Sequence, residues 1–388
     1  MKTGFCVYLR AMLKVGILGG GQLGRMLLQA AANYEVETYI LEGDADCPAA
    51  HLCHHFVLGD IRDFDAVYTF GKNLDALTIE IENVSIDALE KLEEEGVKVY
   101  PKPSVLRTIK NKITQKHYYK DQNLPTSEFI VTNSLAELKQ SQSFLPAVHK
   151  IGEGGYDGKG VQLLYKTSDL EKGFDAPSVL EKMVQVKQEI AVVVAIDQAG
   201  KTAIYPPVEM MFNKDLNLLD YQLCPAPIPE KILWKVEAIA ISVVRNFNSP
   251  GLFAVEFFIN EQGEVLINET APRVHNSGHH TIEGHFSSQF DMLWRIILGF
   301  PLGNTKAILS SIMVNLIGSE GHSGPVHYEG LNEVLQIDNA FVHLYGKSHT
   351  KPGRKMGHVT IISNEKQDLM HKANKVKQTL SVVSTNQL

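Results

Sequence analysis

The sequence predicts a fold of mixed α/β and α+β class, arranged in three zones along the chain. The first hundred residues alternate buried strands with amphipathic helices, which is typical of a doubly wound parallel sheet. The middle of the chain is richer in strands, and their short connections favour antiparallel pairing. We predict a parallel-sheet domain at 1–110 with 1–11 as an extension, a larger domain at 111–310, and a small mixed domain at 311–388.

The first zone opens with the strand "KVGILGG" and the helix "QLGRMLLQAA", whose apolar residues recur at helical spacing. Arg10 and Lys14 interrupt the apolar N-terminus, which argues against a signal peptide, and Met12 precedes the first strand. We therefore expect residues 1–11 to be dispensable. The basic stretch at 103–122 is predicted to be one helix that closes the zone.

Composition narrows the classes of function. A net charge of -7 gives no reason to expect a nucleic-acid or anionic membrane surface. The 4 cysteines are unevenly placed, which suits a reducing cytoplasm better than a disulfide framework. No apolar run approaches the ~18 residues that a membrane span needs. We therefore expect a cytoplasmic protein that acts on small molecules.

The stretch "GGGQLG" at 19–24 fits Gly-x-Gly-x-x-Gly between a strand and a helix, and Glu42 ends the next strand. On its own, this pattern is typical of NAD-linked oxidoreductases. A tight turn needs the same glycines, and a helix N-terminus can also receive the phosphate or ribose of a substrate. The motif leaves these three interpretations open.

A second glycine-rich stretch, "KIGEGGYDGKG", lies between two predicted strands. It lacks the Gly-Lys-Ser/Thr ending of a P-loop, and no helix follows it. A glycine loop between antiparallel strands can fold over a triphosphate as a flap, with Lys150 and Lys159 supplying charge. The alternative is a solvated hairpin.

Two neighbouring strands carry carboxylates inside apolar sequence. "FAVEFFI" contains Glu256, and "EVLINET" contains Asn268 and Glu269 after a short turn. A charge inside an apolar strand is costly unless it is paired or metal-bound. A hairpin would set Glu256 beside Glu269, and hard oxygen ligands of this kind suit Mg²⁺ that bridges ATP phosphates. A buried salt bridge to a lysine is the alternative.

Lys150, the flap and the carboxylate strands together resemble the ATP-grasp superfamily. Two further stretches, "NETAPRVHNSGHHT" and "YGKSHTKPGRKMGHV", together with "GGGQLGRM" and "GGYDGKG", resemble the N(5)-carboxyaminoimidazole ribonucleotide synthetases of purine biosynthesis. The resemblance runs from about Leu13 to beyond Val359. It implies an ATP-grasp fold with a Rossmann-like pre-ATP-grasp domain, and a ligase that uses ATP, Mg²⁺ and bicarbonate to carboxylate aminoimidazole ribonucleotide through carboxyphosphate.

The resemblance also implies roles for residues at matching positions. The catalytic residues would be Asp157, Arg273, His275 and Asn276, the last three holding bicarbonate and carboxyphosphate. The metal ligands would be Glu256 and Glu269. The contacts to aminoimidazole ribonucleotide would be Gln22, Leu23, Glu80, Tyr156, Lys347, Arg354 and Lys355. The contacts to ATP would be Lys112, Lys150, Gly155, Tyr156, Asp157, Gly158, Lys159, Gly160, Glu181, Lys182, Met183, Val184, Glu189, Asn268 and Glu269.

Two positions depart from the family pattern. Many members carry arginine where this chain has Lys112, so the charge is kept but the fork geometry is lost. Many carry histidine near Asn213, and we leave that residue out of the predicted contacts.

Other interpretations receive less support from the sequence. A formate-dependent glycinamide ribonucleotide transformylase would share the ATP site but is expected to lack the "YGKSHTKPGRKMGH" stretch in this form, and biotin carboxylase would need a biotin partner. Zinc in "DCPAAHLCHHF" or "RVHNSGHHTIEGH" is disfavoured because neither spacing matches a common ligand pattern. The resemblance implies a homodimer.

Overall fold

The computed structural model describes residues 12–155, 160–213 and 218–385, with the side chains of 213 and 218 left out. Tyr156, Asp157, Gly158 and Lys159, which the sequence assigns to the flap, therefore lie outside the described residues, as does the extension at 1–11. Among the described helices, none is both long enough and apolar enough to cross a bilayer.

The N-terminal zone is a five-stranded parallel sheet of order β3-β2-β1-β4-β5. The sheet order changes direction between β1 and β4, and ligands of such sheets bind beyond the carboxyl ends of the strands at that point. Its elements are β1 (Leu13–Leu18), α1 (Gln22–Ala31), β2 (Val36–Glu42), β3 (His55–Leu58), α2 (Phe64–Gly71), β4 (Ala76–Ile79), α3 (Ile86–Glu94) and β5 (Lys98–Tyr100).

The predicted single helix at 103–122 is wrong, because two helices occupy this stretch: α4 (Pro103–Lys110) and α5 (Lys112–Asp121). Asn111 between them is extended, with φ -105° and ψ 121°, and its side chain accepts hydrogen bonds from the backbone N–H groups of Ile113 and Thr114. Asparagine competes with the helix in this way and favours a cap. The break turns Lys112 away from α4 and into the first turn of a new helix.

A four-stranded antiparallel sheet follows, in the order β6-β9-β7-β8. β7 and β8 form the hairpin that carries the second glycine-rich stretch, as the sequence predicted. The elements are β6 (Phe129–Thr132), α6 (Leu135–Gln140), β7 (Ala147–Ile151), β8 (Val161–Leu164) and β9 (Ser178–Lys182), with 3-10 turns at Gln142–Phe144 and Thr167–Lys172.

A nine-stranded sheet forms the body of the rest of the chain. Its order is β15-β14-β10-β12-β13-β16-β20-β18, and β11 pairs with β10. The strands and helices that precede residue 311 are β10 (Val186–Ile196), β11 (Thr202–Ile204), β12 (Val208–Asn213), β13 (Leu218–Cys224), α7 (Glu230–Asn246), β14 (Gly251–Asn260), β15 (Val265–Ala271), α8 (Thr281–Gly284) and α9 (Gln289–Leu298), with a 3-10 turn at Asn276–Gly278.

The C-terminal zone continues this sheet and adds a small three-stranded one of order β19-β17-β21. β16 pairs with β13, so the sheet runs without interruption across the boundary expected near 310. The elements are β16 (Ser310–Ile317), β17 (Gly324–Glu329), α10 (Leu331–Val334), β18 (Ala340–Leu344), β19 (His349–Thr350), β20 (Lys355–Ser363), α11 (Lys366–Thr379) and β21 (Ser381–Ser384).

One hydrophobic core joins the first zone to the second. Leu27 of α1 and Trp294 of α9 are both buried in it, and the Trp294 Nε1–H donates to the Leu27 carbonyl at 2.7 Å. An aromatic body with its polar tip satisfied is a stable way to lock two elements together. This packing holds the first glycine loop against the segment that leads into α8.

Candidate active site

The two predicted carboxylates lie side by side. Glu256 of β14 and Glu269 of β15 are register partners in antiparallel strands, as the hairpin pattern predicted. The next pair is Phe257 with Ile267, so Asn268 is an extra residue in a β-bulge. A bulge changes the alternation of side chains, and Asn268 and Glu269 consequently line the same cavity as Glu256.

The two carboxylates differ in their electrostatic surroundings. Burial, with repulsion from Glu269 and Glu189, raises the pKa of Glu256 well above its usual range. The Lys112 ammonium, 2.8 Å from Glu269 Oε2, lowers the pKa of Glu269 against the opposing effect of burial. The Glu269 side chain still keeps 41% of its surface exposed to the open cavity. Glu269 is therefore the ionised member, paired with Lys112, and Glu256 is the member whose charge the protein does not compensate.

Lys150 of β7 links the carboxylate pair to a charged cluster at the end of β9, here called the node. The node consists of Glu181, Lys116, Lys150 and Ser127. Its Nζ donates to Asn268 Oδ1 at 2.9 Å and lies 3.0 Å from Glu181 Oε1. Glu181 also contacts Lys116 Nζ at 3.1 Å and accepts from the Ser127 hydroxyl at 2.6 Å.

The node is neutralised within the protein. Burial opposes ionisation of Glu181, yet Lys150 and Lys116 outweigh it and lower its pKa to about 2. For Lys116 the balance is reversed: burial lowers its pKa to about 8 despite the attraction of Glu181. Glu181 is therefore firmly ionised, whereas Lys116 loses its proton more readily than an ordinary lysine.

A hydrogen bond joins the two ends of the second glycine-rich stretch. Ile151 N–H donates to the Gly160 carbonyl at 2.9 Å. Gly160 has φ +83°, and a Cβ added there would lie 2.6 Å from Ile151 Cγ2 and 2.9 Å from Gly155 Cα. Only glycine fits this conformation without strain, so the described ends of the flap are held close together at the cavity.

The first glycine loop is filled by the protein's own carboxylates. Glu80, just after β4, accepts from Gly21 N–H at 2.7 Å and Gly24 N–H at 2.6 Å, while Glu42 accepts from Gly20 N–H at 2.9 Å. A Cβ at Gly21 would lie 2.5 Å from Glu80 Oε1. The glycines thus admit a buried carboxylate to the N-terminus of α1, a position that a dinucleotide pyrophosphate would need. This arrangement disfavours the oxidoreductase interpretation.

The segment after β15 supplies a cation and two polar side chains. Arg273 Nη2 lies 2.9 Å from Glu82 Oε1. His275 is held by Gln289, which accepts from its backbone N–H at 2.9 Å and donates to its carbonyl at 2.7 Å. Among the described residues, the Arg273 Nε atom and both amide atoms of half-buried Asn276 are themselves buried and find no hydrogen-bond partner. Buried polar groups are nearly always satisfied, so these atoms point to a ligand or ordered water.

Two adjoining cavities collect these side chains. The first, of about 460 Å³, is lined by the flap strands, the Glu181 to Val184 segment, Glu189 and the carboxylate pair. The second, of about 390 Å³, is lined by the start of α1, Glu80, Arg273 and Gly155. Both are large enough for drug-sized ligands. The residues that line both cavities are Lys112, Glu269, His275, Asn276 and Lys355.

Comparison with known proteins identifies the family to which the chain belongs. Three family models match successive parts of the chain: the ribonucleotide synthetase preATP-grasp domain at 12–110, the ATP-grasp domain at 117–290, and the phosphoribosylaminoimidazole carboxylase C-terminal domain at 311–372. The N5-carboxyaminoimidazole ribonucleotide synthase of Aquifex aeolicus is 35% identical over 94% of this chain and 96% of its own length. The chain belongs to this synthetase family.

Solved structures of the family have the same fold. The synthetase from Thermotoga maritima is 36% identical with a TM-score of 0.89, covering 96% of this chain and all of that one. The Aspergillus clavatus enzyme, in complex with ADP and 5-aminoimidazole ribonucleotide, is 33% identical with a TM-score of 0.86. The match covers 95% of this chain and 98% of that one. Both the predicted family and the predicted ATP-grasp fold are confirmed.

Some relatives are longer than this chain. It spans 64% of the phosphoribosylaminoimidazole carboxylase of Vigna aconitifolia and 36% of the purC/E protein of Dictyostelium discoideum, at 35% and 34% identity. Family membership therefore rests on the relatives that match from end to end.

The three residues of the C-terminal zone that are predicted to contact the ribonucleotide, Lys347, Arg354 and Lys355, separate into two groups. Lys355, at the start of β20, lines both cavities, whereas the residues lining them include neither Lys347 nor Arg354. Lys347 Nζ donates to the Lys355 carbonyl at 2.7 Å, and Arg354 Nη1 donates to the His349 carbonyl at 2.5 Å. A Cβ at Gly346 would lie 3.3 Å from Arg25 Nη1, so this loop faces α1.

Sequence reasoning missed four residues that shape the site. Lys116 lies four positions after Lys112 on the same helix face, a spacing that could have identified it. Ser127, Glu82 and Gln289 act through contacts between distant parts of the chain, to Glu181, Arg273 and His275. No local pattern distinguishes them from ordinary polar residues.

Proposed function

We propose that this protein catalyses the ATP-dependent carboxylation of 5-aminoimidazole ribonucleotide with bicarbonate, releasing ADP and phosphate. In this reaction ATP phosphorylates bicarbonate to carboxyphosphate, and the amine of the ribonucleotide then takes up the carboxylate. End-to-end relatives carry the name of this activity, and the C-terminal family model is specific to it. That model favours this function over the formate-dependent transformylase.

ATP would occupy the first cavity. The segment from Glu181 to Val184 supplies the hinge for the adenine, and Glu189 faces the ribose. Burial raises the pKa of Glu189 to about 7, so part of it can also donate a hydrogen bond near neutral pH. Lys112 and Lys150, with the flap from Gly155 to Gly160, would hold the phosphates, and the charges of the two lysines support this assignment.

Mg²⁺ fits the donors of the carboxylate pair. Glu256, Glu269 and the Asn268 amide are hard oxygen ligands on adjacent strands, and a divalent cation would relieve the repulsion that raises the pKa of Glu256. When bound, the ion neutralises charge on the phosphates of ATP. Lys112 meanwhile keeps Glu269 ionised and therefore able to act as a ligand.

Bicarbonate would bind at Arg273, His275 and Asn276. A guanidinium and an amide suit a small planar anion, and the unpartnered atoms of Arg273 and Asn276 support this assignment. Gln289 and Glu82 position two of these residues through the contacts described above. Asp157 and Tyr156 on the flap, outside the described residues, remain predicted contacts that orient the amine and the ribonucleotide.

Aminoimidazole ribonucleotide would occupy the second cavity. Gln22, Leu23, Glu80 and Lys355 line it. Arg354 and Lys347 would bind the 5'-phosphate from the loop that faces α1, where they are tied to backbone carbonyls in this conformation. On binding, the two cations would exchange neutral carbonyl acceptors for the charged phosphate, which binds them more strongly.

A single observation carries the proposal: the two cavities meet at Glu269, His275 and Asn276. A carboxyl group activated in one cavity would form next to the amine in the other, and proximity of this kind lowers the barrier. The test is ADP release by the purified chain with bicarbonate, with and without aminoimidazole ribonucleotide. Turnover that needs formate and glycinamide ribonucleotide instead would overturn the proposal.

We also propose a cytoplasmic homodimer, as the resemblance implies. Phe286, Phe300 and Ile308 expose 64%, 46% and 49% of their surface, and large exposed apolar side chains are typical of interfaces. Cys47, Cys53 and Cys224 are free thiols, which suits a reducing compartment. Light scattering on the protein as it elutes from a size-exclusion column would give its molar mass, and hence its oligomeric state, directly.

A further inference from the structure

A second cluster of potential ligands lies outside the proposed nucleotide site. Cys224 ends β13, while His280 and His285 flank α8. One ligand atom from each of the three lies within 4.8 Å of the other two, and all three residues are buried. Cys224 is also the register partner of Ser311 in β16, whose side chain is fully buried.

The polar atoms of this cluster lack partners. Among the described residues, His280 Nε2, both ring nitrogens of His285 and Ser311 Oγ have no hydrogen bond. The Cys224 sulfur has one weak contact, to the Pro206 carbonyl at 3.9 Å. Leaving a buried polar group unsatisfied costs about 1 to 3 kcal/mol. One ring nitrogen of each histidine and the Cys224 sulfur lie close enough together to share a partner.

We propose that Cys224, His280 and His285 bind one Zn²⁺ ion, with Ser311 or a water molecule as the fourth ligand. Zn²⁺ prefers four sulfur and imidazole ligands in tetrahedral geometry, with Zn–S ~2.3 Å and Zn–N ~2.0 Å. Those bonds would place the ligand atoms roughly 3.5 Å apart, so the three side chains draw slightly together. The thiol loses its proton to solvent as the Zn–S bond forms.

Metal binding through His280 would require the neighbouring Gln222 amide to turn. Its Nδ1 is 2.9 Å from Gln222 Nε2, and Gln222 Oε1 has no partner. Rotating this amide would let Oε1 accept from Nδ1–H, in exchange for the contact of Gln222 Nε2 with the Ser277 carbonyl. Nε2 would then face the metal as a neutral donor, and such outer contacts are usual for metal-bound histidine.

The site has an access route and a structural consequence. His285 lines a cavity of about 500 Å³ together with the exposed side chain of Phe286. A bound ion would tie β13 to the segment that follows His275 and Asn276, and so hold that segment against the sheet. In the other cysteine- and histidine-rich stretch, by contrast, His54 contacts Thr38, and His55 pairs with Glu37 at 2.6 Å.

Cobalt provides a direct test, because a Co²⁺–thiolate bond absorbs in the near ultraviolet and a Co²⁺–carboxylate bond does not. The full chain is stripped with a chelator and titrated with Co²⁺. We expect one equivalent to produce the thiolate band and Zn²⁺ to abolish it. The band distinguishes this site from the carboxylate pair, since the described residues that line the two active-site cavities include no cysteine.

Matched variants locate the ligands. Cys224→Ser should lose the band, while Cys53→Ser, which removes another free thiol, should keep it. Zn²⁺ at ~100 times its dissociation constant should raise the Tm of the wild type by roughly 3 °C and leave His285→Gln unchanged.

Two results would overturn the proposal. One is a folded wild type with no thiolate band, which would mean that water alone satisfies the cluster. The other is a band that survives Cys224→Ser. Should that variant fail to fold, His285→Gln decides: cobalt affinity must fall at least about tenfold, and an unchanged affinity refutes the site.

Discussion

Two regions of this protein each hold a pair of partly buried carboxylates, and their partners differ. In the first glycine loop, Glu80 and Glu42 accept hydrogen bonds from backbone N–H groups, so protein dipoles stabilise them. In the strand pair, Glu256 and Glu269 lie side by side in the wall of a cavity, with Lys112 as the close ammonium partner of Glu269. Burial alone therefore does not identify a ligand-binding acid, because it raises the pKa of Glu80 as well as that of Glu256. The strand pair is distinguished by two adjacent carboxylates that line one cavity.

The largest effect should come from the adjacent carboxylates of the strand pair. Glu269→Gln keeps the shape but removes one charge next to the transferred phosphoryl group, so ADP release should fall by about 10²- to 10³-fold, as for other lost electrostatic contacts. Steady-state kinetics at several Mg²⁺ concentrations measure this, and Glu171→Gln, which removes an exposed carboxylate paired with Lys139, is the matched control. Near-normal ADP release by Glu269→Gln would show that the pair is structural, like the pair in the glycine loop.

Glu181 sharpens the comparison because two lysines compensate it fully. Its pKa is lowered from 4.5 to about 2, so the stability it contributes is present above pH 4.5 and is lost as the pH falls towards 2. A change of this size corresponds to on the order of 3 kcal/mol in the free energy of unfolding. Urea titrations across this range should show a shallower decline for Glu181→Gln than for the wild type.

The exposed pair of Lys139 and Glu171 is the control for that experiment. Its side chains keep 42% and 68% exposure, so solvent screens it, and Glu171→Gln should decline in parallel with the wild type. Parallel curves for Glu181→Gln as well would mean that the buried node does not set the acid sensitivity.

These cases show what the sequence could reveal. The hairpin that brings the two carboxylates together was predictable, because a tight turn joins their strands. Strict alternation would place Asn268 opposite Glu256, and a bulge brings Glu269 there instead. The hairpin around the second glycine stretch was also predictable, since its two strands flank the stretch directly. The helix break at Asn111 was not predicted, although asparagine is a common cap, because the flanking residues share one helical pattern.

Long-range contacts were beyond local reasoning. The sequence predicts Glu80 as a substrate contact, and nothing near it indicates that its carboxylate also caps α1 from across the sheet. Cys224 likewise lies far along the chain from His280, so no spacing pattern joins them. Both depend on tertiary packing.

The cationic loop tests whether the second cavity is the nucleotide site. Losing a charge-assisted phosphate contact costs roughly 1.5 to 3 kcal/mol, so Arg354→Ala should raise the KM for aminoimidazole ribonucleotide about ten- to a hundredfold. The KM for ATP should stay within about threefold, because Arg354 belongs to the loop that faces α1, whose first residues line the second cavity and not the first. Lys355 lines both cavities, so Lys355→Ala should affect both constants. Equal losses for both substrates in Arg354→Ala would contradict the assignment.

The smallest effect should come from Glu80 of the glycine loop. Glu80→Ala removes the acceptor for the backbone N–H groups of Gly21 and Gly24, and losing such a cap should lower the free energy of unfolding by about 1 to 2 kcal/mol. Glu80→Gln retains one acceptor oxygen, so its loss should be smaller. Because Glu80 also lines the second cavity, the KM for the ribonucleotide is measured on the same variants. A stability close to wild type in Glu80→Ala would show that the carboxylate does not act as a cap, and a raised KM would then reflect its predicted contact with the ribonucleotide alone.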